Sequence, residues 1–311
     1  MNIQQIQYAL NLAETRHFER AAERSIISQS TLSTMISKLE DELGILIFDR
    51  KQKPVGITAE GEVLLEQFRK VQKELQQLNE LVAELKGELK GRLSLSVIPT
   101  VAPYVLPTFL HHFAARFPDL EIEVREETTA NILRRIKARE LDMGLLSLPV
   151  NEPELVEHHL YDEPFAYYDA NQTGRPQVTA AELDVRNICL LEEGHCMRNQ
   201  VLELCNFDDV RLQQVLNFRY KAGSIDSLMR FVKVNKASTL LPWLSVVDLP
   251  EADRRHLSHF AAPVPYRSIG LVVHRHFVKN RILYMLREEI RRNVLPFLPE
   301  IEKQGRQLMP V

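Results

Sequence analysis

Three cysteines, Cys189, Cys196 and Cys205, fall in one short stretch of a 311-residue chain that has no others. Thiols staple folds as disulfides, hold soft metals, react as thiolates, or sit buried and inert. The chain has no apolar run of the ~18 residues a membrane span requires. It starts Met1-Asn2-Ile3-Gln4-Gln5, with neither the basic start nor the apolar run of a secretory leader. It therefore reads as cytosolic and free of membrane contact, where thiols stay reduced and structural disulfides are not expected. The cysteine spacings do not fit the paired C-x₂₋₄-C ligands of zinc, so no metal is expected. Fingerprints of serine hydrolases, P-loop NTPases and dinucleotide enzymes are missing, so no cofactor is expected either. Inert burial or a reactive thiolate remains for each thiol.

Local context separates the three. Gly194 breaks the chain before an amphipathic stretch whose inner face is Met197, Val201, Leu204 or Cys205, and Asp208. If that stretch is a helix, Cys196 sits at its N-terminus, where free N–H groups and the helix dipole favour a thiolate. Cys205 falls on the apolar face as a quiet thiol. Cys189 lies in a strand predicted at Ile188–Leu191, as a core residue.

The elements around the cysteines read as α/β. Composition is 45% hydrophobic and 26% charged, ample for two or three domains. Strands are predicted at Leu93–Ile98, Glu121–Val124 and Met143–Leu148, with helices Tyr104–Arg116 and Asn131–Ala138 between them. A second set follows: strand Ile188–Leu191, helix Cys196–Cys205, strand Gln214–Phe218, helix Ile225–Val234 and strand Thr239–Leu241. Strand Ile269–Val273 and helix Arg281–Asn293 close the chain. Such alternation predicts a mostly parallel sheet with ligands at the carboxyl ends of its strands. Ile98-Pro99-Thr100 and Glu127-Thr128-Thr129 stand at two such ends.

The N-terminal end is different. Helices are predicted over residues 3–14 and Phe18–Arg24, and a third begins after Ser28 as N-cap and stops at Gly44. The third helix turns Leu32, Met35 or Ile36, and Leu39 inward. Its other face carries Gln29, Ser30, Thr31, Ser33, Thr34, Ser37 and Lys38, small polar groups suited to base edges in a major groove. Short strands Leu46–Phe48 and Val55–Thr58 then flank a basic turn, Arg50-Lys51-Gln52-Lys53-Pro54. That pattern is a winged helix-turn-helix over residues 1–60, with Arg50, Lys51 and Lys53 placed for phosphates. The net charge of −3 gives no general attraction to nucleic acid, so any such contact rests on this local patch.

Residues 61–87 join the two parts. Leu64, Phe68, Val71, Leu75, Leu78, Val82 and Leu85 recur in alternating steps of four and three, the seam of a coiled coil. A polar helix with so narrow a stripe needs a partner, and a homodimer also supplies two recognition helices to a two-fold site in double-stranded DNA.

Ala21-Ala22, Ser28 to Ser33, Lys38 to Gly44, Phe48-Asp49-Arg50 and Thr58-Ala59-Glu60-Gly61 together resemble the head of LysR-type transcriptional regulators. Ser30 departs from that pattern, which has proline there. The resemblance implies a two-lobed regulatory domain built like a periplasmic binding protein over residues 88–311. Its first lobe would take about 88–162 and 267–311, and its second about 163–266.

Gly194-His195-Cys196 with Cys205 nine residues on, Ile98 to Val101, and Arg267 to Leu271 are further similar to the peroxide-sensing members of that family. The implied roles are Cys196 as peroxidatic and Cys205 as resolving cysteine. Thr100, Thr129 and His195 would orient hydrogen peroxide, and Arg267 would favour the thiolate. A helix over 196–205 holds the two cysteines about 13 Å apart along its axis, whereas a disulfide needs Cα atoms within about 7 Å. Pairing would therefore unwind the helix and make oxidation a conformational change. Implied partners are promoter DNA, RNA polymerase, a cellular thiol reductant and a second copy of the chain, as dimer or tetramer. A same-family regulator with an organic effector between the lobes and a thiol peroxidase are the rival readings. The first predicts replaceable cysteines and the second steady turnover of peroxide.

Overall fold

The computed structural model describes residues 1–87, 89–173, 175–183, 187–192, 197, 200, 201, 204, 222–300 and 306–309. It divides into two compact units, Met1–Lys86 and Gly87–Val311.

The first unit opens with α1 (Ile3–Thr15), started by a capping box between Asn2 and Gln5. Next come α2 (Phe18–Arg24) and α3 (Gln29–Leu43). The Ser28 hydroxyl accepts the Thr31 N–H at the start of α3, and Gly44 ends it in the left-handed region at φ +66°. Ile6, Ala9, Leu10, Ala21, Leu32, Ile36 and Leu39 form the core between the three helices.

The wing strands are shorter than expected: β1 is Phe48–Asp49 and β2 is Gly56–Ile57, paired antiparallel. A cap replaces the missing rungs. The Thr58 hydroxyl donates to the Leu46 carbonyl at 2.6 Å and its backbone N–H to the Ile47 carbonyl at 3.0 Å. The same hydroxyl accepts the Gly61 N–H and starts α4 (Ala59–Leu85). Gly61 is packed so tightly there that a Cβ would collide with the Ile47 carbonyl oxygen.

Along α4 the predicted seam divides. Phe68 is buried and Leu64 half-buried against the head core, joined by Leu65. Leu75 is half-buried, while Val71, Leu78, Val82 and Leu85 are exposed. No helix among the described residues is long and apolar enough to cross a membrane.

The second unit is one mixed sheet. Its strands are β3 (Gly91–Val97), β4 (Leu120–Glu126), β5 (Met143–Leu148), β6 (Leu155–Asp169), β7 (Gln177–Val178), β8 (Ser238–Pro242), β9 (Leu257–Phe260), β10 (Val264–His274) and β11 (Arg306–Leu308). Their order is β4-β3-β5-β10-β6-β9-β7, with β8 on β6 and β11 on β10. Helices described from end to end are α5 (Ala102–Arg116), α6 (Thr129–Lys137), α7 (Ile225–Val234), the short α8 (Glu251–Arg254) and α9 (Asn280–Val294).

Only part of the sheet is parallel. β3 runs parallel to β4 and β5, but β10 is antiparallel to both β5 and β6. The sequence reading missed β6. Its first half alternates irregularly in exposure through Glu157-His158-His159, so no apolar rhythm marks it. A register shift between Ile269 and Gly270 absorbs the irregularity, and a Cβ on Gly270 would strike the Leu148 side chain.

Two hydrophobic cores lie along this sheet. The first gathers Leu95, Val105, Phe109, Ile132, Leu145, Tyr161, Leu271 and Ile290. The second gathers Phe165, Tyr168, Met197, Val201, Leu204, Leu228 and Leu240. β6 and β10 pass from one to the other; Leu244 packs in the first core and Met309 in the second.

Ile188–Leu191 is not a strand; it makes single bridges from Ile188 to Ser238 and from Leu191 to Ala222. Of the helix expected over Cys196–Cys205, the described residues Met197, Gln200, Val201 and Leu204 are helical and buried. The strand expected at Gln214–Phe218 lies outside the described residues.

Candidate functional site

The parallel part of the sheet brings the two threonine segments to one edge. β3 ends at Val97 and β4 at Glu126, and the Glu127 N–H closes onto the Val97 carbonyl at 3.1 Å. Thr100 follows β3 in the turn before α5, and Thr129 is the first residue of α6. Arg267 reaches the same edge from β10, next to Ser268, which faces Leu148 at the end of β5.

Arg267 is the largest fully buried side chain among the described residues, 1% exposed, and its charge is fully engaged. Nη1 donates to the Thr100 hydroxyl at 2.8 Å and Nη2 to the Thr100 carbonyl at 3.1 Å. Glu163, directly opposite on β6 and fully buried, takes Nε at 2.9 Å and Nη2 at 2.8 Å on one carboxylate oxygen. Its other oxygen accepts the Leu244 N–H at 2.8 Å. A buried ion pair survives only when such hydrogen bonds occupy both partners.

Sequence reasoning found Arg267 and Thr100 but missed Glu163. A signal was present: an acid directly before the apolar run Pro164-Phe165-Ala166-Tyr167-Tyr168 must be buried with a partner. The expectation that Arg267 acts as a positive charge on a thiolate is accordingly tempered by a carboxylate at contact distance.

Two hydroxyls at this site are buried without a hydrogen-bond partner, those of Thr129 and Tyr161. Burial, reinforced by Glu163 and opposed by Arg267, pushes the Tyr161 phenol well above its usual range. Tyr104 on α5 packs against both cores, and burial followed by Asp226 raises its phenol. The site is therefore lined by neutral hydroxyls around one compensated ion pair.

Cys196, Cys205 and His195 lie outside the described residues. Cys189 is half-buried against the second core, and burial pushes its thiol up, away from the reactive thiolate. Its carbonyl accepts the Thr239 hydroxyl at 2.9 Å. Among the described residues no cluster of His, Cys, Asp and Glu is arranged to hold a metal.

In the first unit, α3 presents Gln29, Ser30, Thr31, Thr34 and Lys38 exposed, with Ser33 and Ser37 half-buried. The Ser28 hydroxyl bonds those of Ser30 and Thr31, at 2.9 and 2.8 Å. Ser30 thus occupies the position of the missing proline with a hydroxyl contact at the start of the helix. Lys51 and Lys53 are exposed on the wing. Arg50 is not loose beside them. It reaches Ser33 at 3.3 Å, Ser37 at 3.0 Å and Glu40 at 2.9 Å, and its guanidinium lies 5.4 Å from the Phe18 ring centre. Glu40, itself buried, takes the Ile47 and Phe48 N–H groups at 2.8 and 3.0 Å. Arg50 thereby ties the wing to α3; neither Glu40 nor this tie was foreseen.

Comparison with known proteins places these features. Residues 3–62 match the bacterial regulatory helix-turn-helix domain of the lysR family, and residues 86–294 match the LysR substrate binding domain. The DNA-binding transcriptional dual regulator OxyR of Escherichia coli K12 is 34% identical over 277 residues, covering 88% of this chain and 89% of that one. A hydrogen peroxide-inducible genes activator of Pectobacterium carotovorum is 32% identical over 275 residues, covering 88% and 90%. Among solved structures, a full-length OxyR variant from Pseudomonas aeruginosa superposes with a TM-score of 0.67 at 30% identity, over 94% of this chain and 98% of that one. A peroxide-bound OxyR variant from Corynebacterium glutamicum gives 0.62 at 27% identity, over 96% and 94%. With a winged head, a long linking helix and a two-lobed α/β unit whose relatives are OxyR proteins, the chain belongs to the LysR family of bacterial transcriptional regulators.

Proposed function

We propose that this regulator binds promoter DNA through α3 and the wing and senses hydrogen peroxide through Cys196 and Cys205. The observation that carries the reading is the buried Thr100–Arg267 pair, on the strand-end edge where the Thr129 hydroxyl is left without a partner. A site of hydroxyls and one compensated charge suits a small neutral ligand rich in hydrogen-bonding oxygen. The relatives' names point to the same ligand.

In the proposed reaction the Cys196 thiolate attacks one oxygen of hydrogen peroxide. The S–O bond forms as the O–O bond breaks, giving Cys196 sulfenic acid and hydroxide. Hydroxyl donors at the site stabilise the charge developing on the leaving oxygen. The Cys205 thiol then displaces the sulfenic oxygen as water, leaving a Cys196–Cys205 disulfide. Two equivalents of a cellular thiol restore both cysteines and leave as a disulfide. Cys189, with its raised thiol, takes no part.

The exposed stripe of Val71, Leu78, Val82 and Leu85 on α4 supplies a dimer seam, which sets two recognition helices on a two-fold DNA site. Dimers or tetramers so formed would present the oxidised state to RNA polymerase.

The test is thiol trapping and mass spectrometry on reduced protein given one equivalent of hydrogen peroxide. The expected result is a Cys196–Cys205 disulfide within seconds, through a trappable Cys196 sulfenic acid. Slow oxidation spread over all three cysteines would overturn the sensing reading. It would return the regulatory domain to an organic effector bound at the same strand ends.

A further inference from the structure

We infer that Glu163 is a positioning residue for the peroxide site, acting through Arg267 on the Thr100 hydroxyl. The inference rests on the sensing reading above and assigns a part to a carboxylate outside the set of residues expected to touch peroxide.

The geometry leaves the guanidinium little freedom. Nε and Nη2 are both held by one oxygen of Glu163, and the other oxygen is fixed by the Leu244 N–H. The third arm, Nη1, is thereby aimed at the Thr100 hydroxyl at 2.8 Å. A guanidinium nitrogen offers only hydrogens, so the Thr100 oxygen must accept there. Its own hydrogen is consequently directed elsewhere, ready to be donated. Were Thr100 free to rotate, it could equally well present lone pairs to the ligand. Glu163 thus settles the polarity of a hydroxyl that it does not touch. Thr100 becomes a donor, as an oxygen gaining negative charge requires. The same carboxylate compensates the buried cation, so the site offers hydrogen bonds without a net charge that would hold anions in place of a neutral peroxide.

A double-mutant cycle between Glu163→Gln and Thr100→Val tests this, read as the rate of Cys196 oxidation by hydrogen peroxide in the full-length chain. A Gln has one oxygen for the two duties of the carboxylate, so it releases either Arg267 or Leu244. Glu163→Gln is expected to slow oxidation about tenfold in the native background and less than about twofold when Thr100 is valine, the non-additivity of residues acting in series. Should Glu163→Gln fail to fold, Glu163→Asp enters the same cycle, keeping the charge but shifting it by one methylene. Equal slowing in both backgrounds would overturn the inference, since a structural lesion does not depend on the Thr100 hydroxyl. So would an unchanged rate in Glu163→Gln. In either case Cys196 still outruns Cys189 in the native chain and the sensing reading stands. If native Cys196 oxidises no faster than Cys189, both fall together.

Discussion

Arg50 in the wing and Arg267 in the regulatory sheet are held by the same device at opposite extremes of exposure. In each, a buried glutamate gives one oxygen to the arginine and the other to backbone N–H groups: Ile47 and Phe48 for Glu40, Leu244 for Glu163. The Arg50 side chain is 38% exposed and that of Arg267 only 1%. In the head, the carboxylate is the fixed part and the arginine keeps an outer face open to solvent. In the regulatory unit neither partner can be withdrawn without stranding the other in a low-dielectric interior. The first arrangement suits contact with a polyanion in salt solution, and the second suits a pocket whose dipoles must stay put.

Removing one carboxylate at a time separates the two arrangements. Glu163→Ala leaves Arg267 buried and half-partnered, and is expected to destabilise the regulatory unit by about 3–5 kcal/mol in urea unfolding. Replacing both residues, Glu163→Met with Arg267→Met, should recover most of that loss, because two well-packed apolar side chains carry no desolvation penalty. If the double variant is as unstable as Glu163→Ala, the pair holds up the fold and is not retained for the site.

Glu40→Ala comes next, at about 2–3 kcal/mol for the head, since it orphans two buried N–H groups and leaves Arg50 with only Ser33, Ser37 and the Phe18 ring. Its DNA affinity should fall with it, in a titration on promoter fragments. A loss confined to affinity would mean that the wing stands without the Glu40 anchor.

How much of this was legible beforehand follows from the same residues. α2, β5 and α7 begin and end where the apolar spacing predicts, because local pattern decides them. β6 was invisible. Its exposed first half carries Glu157 and His159, and its pairing with β10 is set by residues about a hundred positions away. The site shows the same division. Thr100 and Arg267 were named from resemblance, and only the folded sheet brings them to one edge. Glu163 was missed although its place before an apolar run marks it as buried, and Glu40 because its partners, on the wing after α3, leave no spacing signal in the chain. The stripe on α4 is divided in the folded chain: its first turns serve the head core through Phe68 and Leu65, which a heptad count alone cannot apportion.

Arg50→Ala sharpens the contrast from the mild side. With its carboxylate locked by backbone N–H groups, loss of the half-exposed arginine should cost no more than about 1 kcal/mol of head stability. DNA binding should weaken further, and the slope of affinity against salt should flatten by about one unit if Arg50 meets a phosphate. An unchanged slope would assign Arg50 wholly to bracing Ser33 and Ser37.

The smallest effect concerns Asp162, beside Glu163 on β6. It accepts from His159 at 2.8 Å, Ser268 at 2.6 Å and Arg306 at 2.9 Å. Burial works to raise its carboxyl, but the hydrogen bonds from His159 and Ser268 and the charges of His159 and Arg306 outweigh it and hold it below its usual 3.8. A carboxyl lowered on folding stabilises the native state above its unfolded value, and that contribution is lost as pH falls through the lower folded one. Asp162→Asn should therefore be less stable than the native chain at neutral pH, with the two curves converging as pH drops below about 4. Urea midpoints taken between pH 7 and 3 would show it. A gap that stays constant over that range would mean Asp162 works through packing alone, unlike the ion-paired Glu163 beside it.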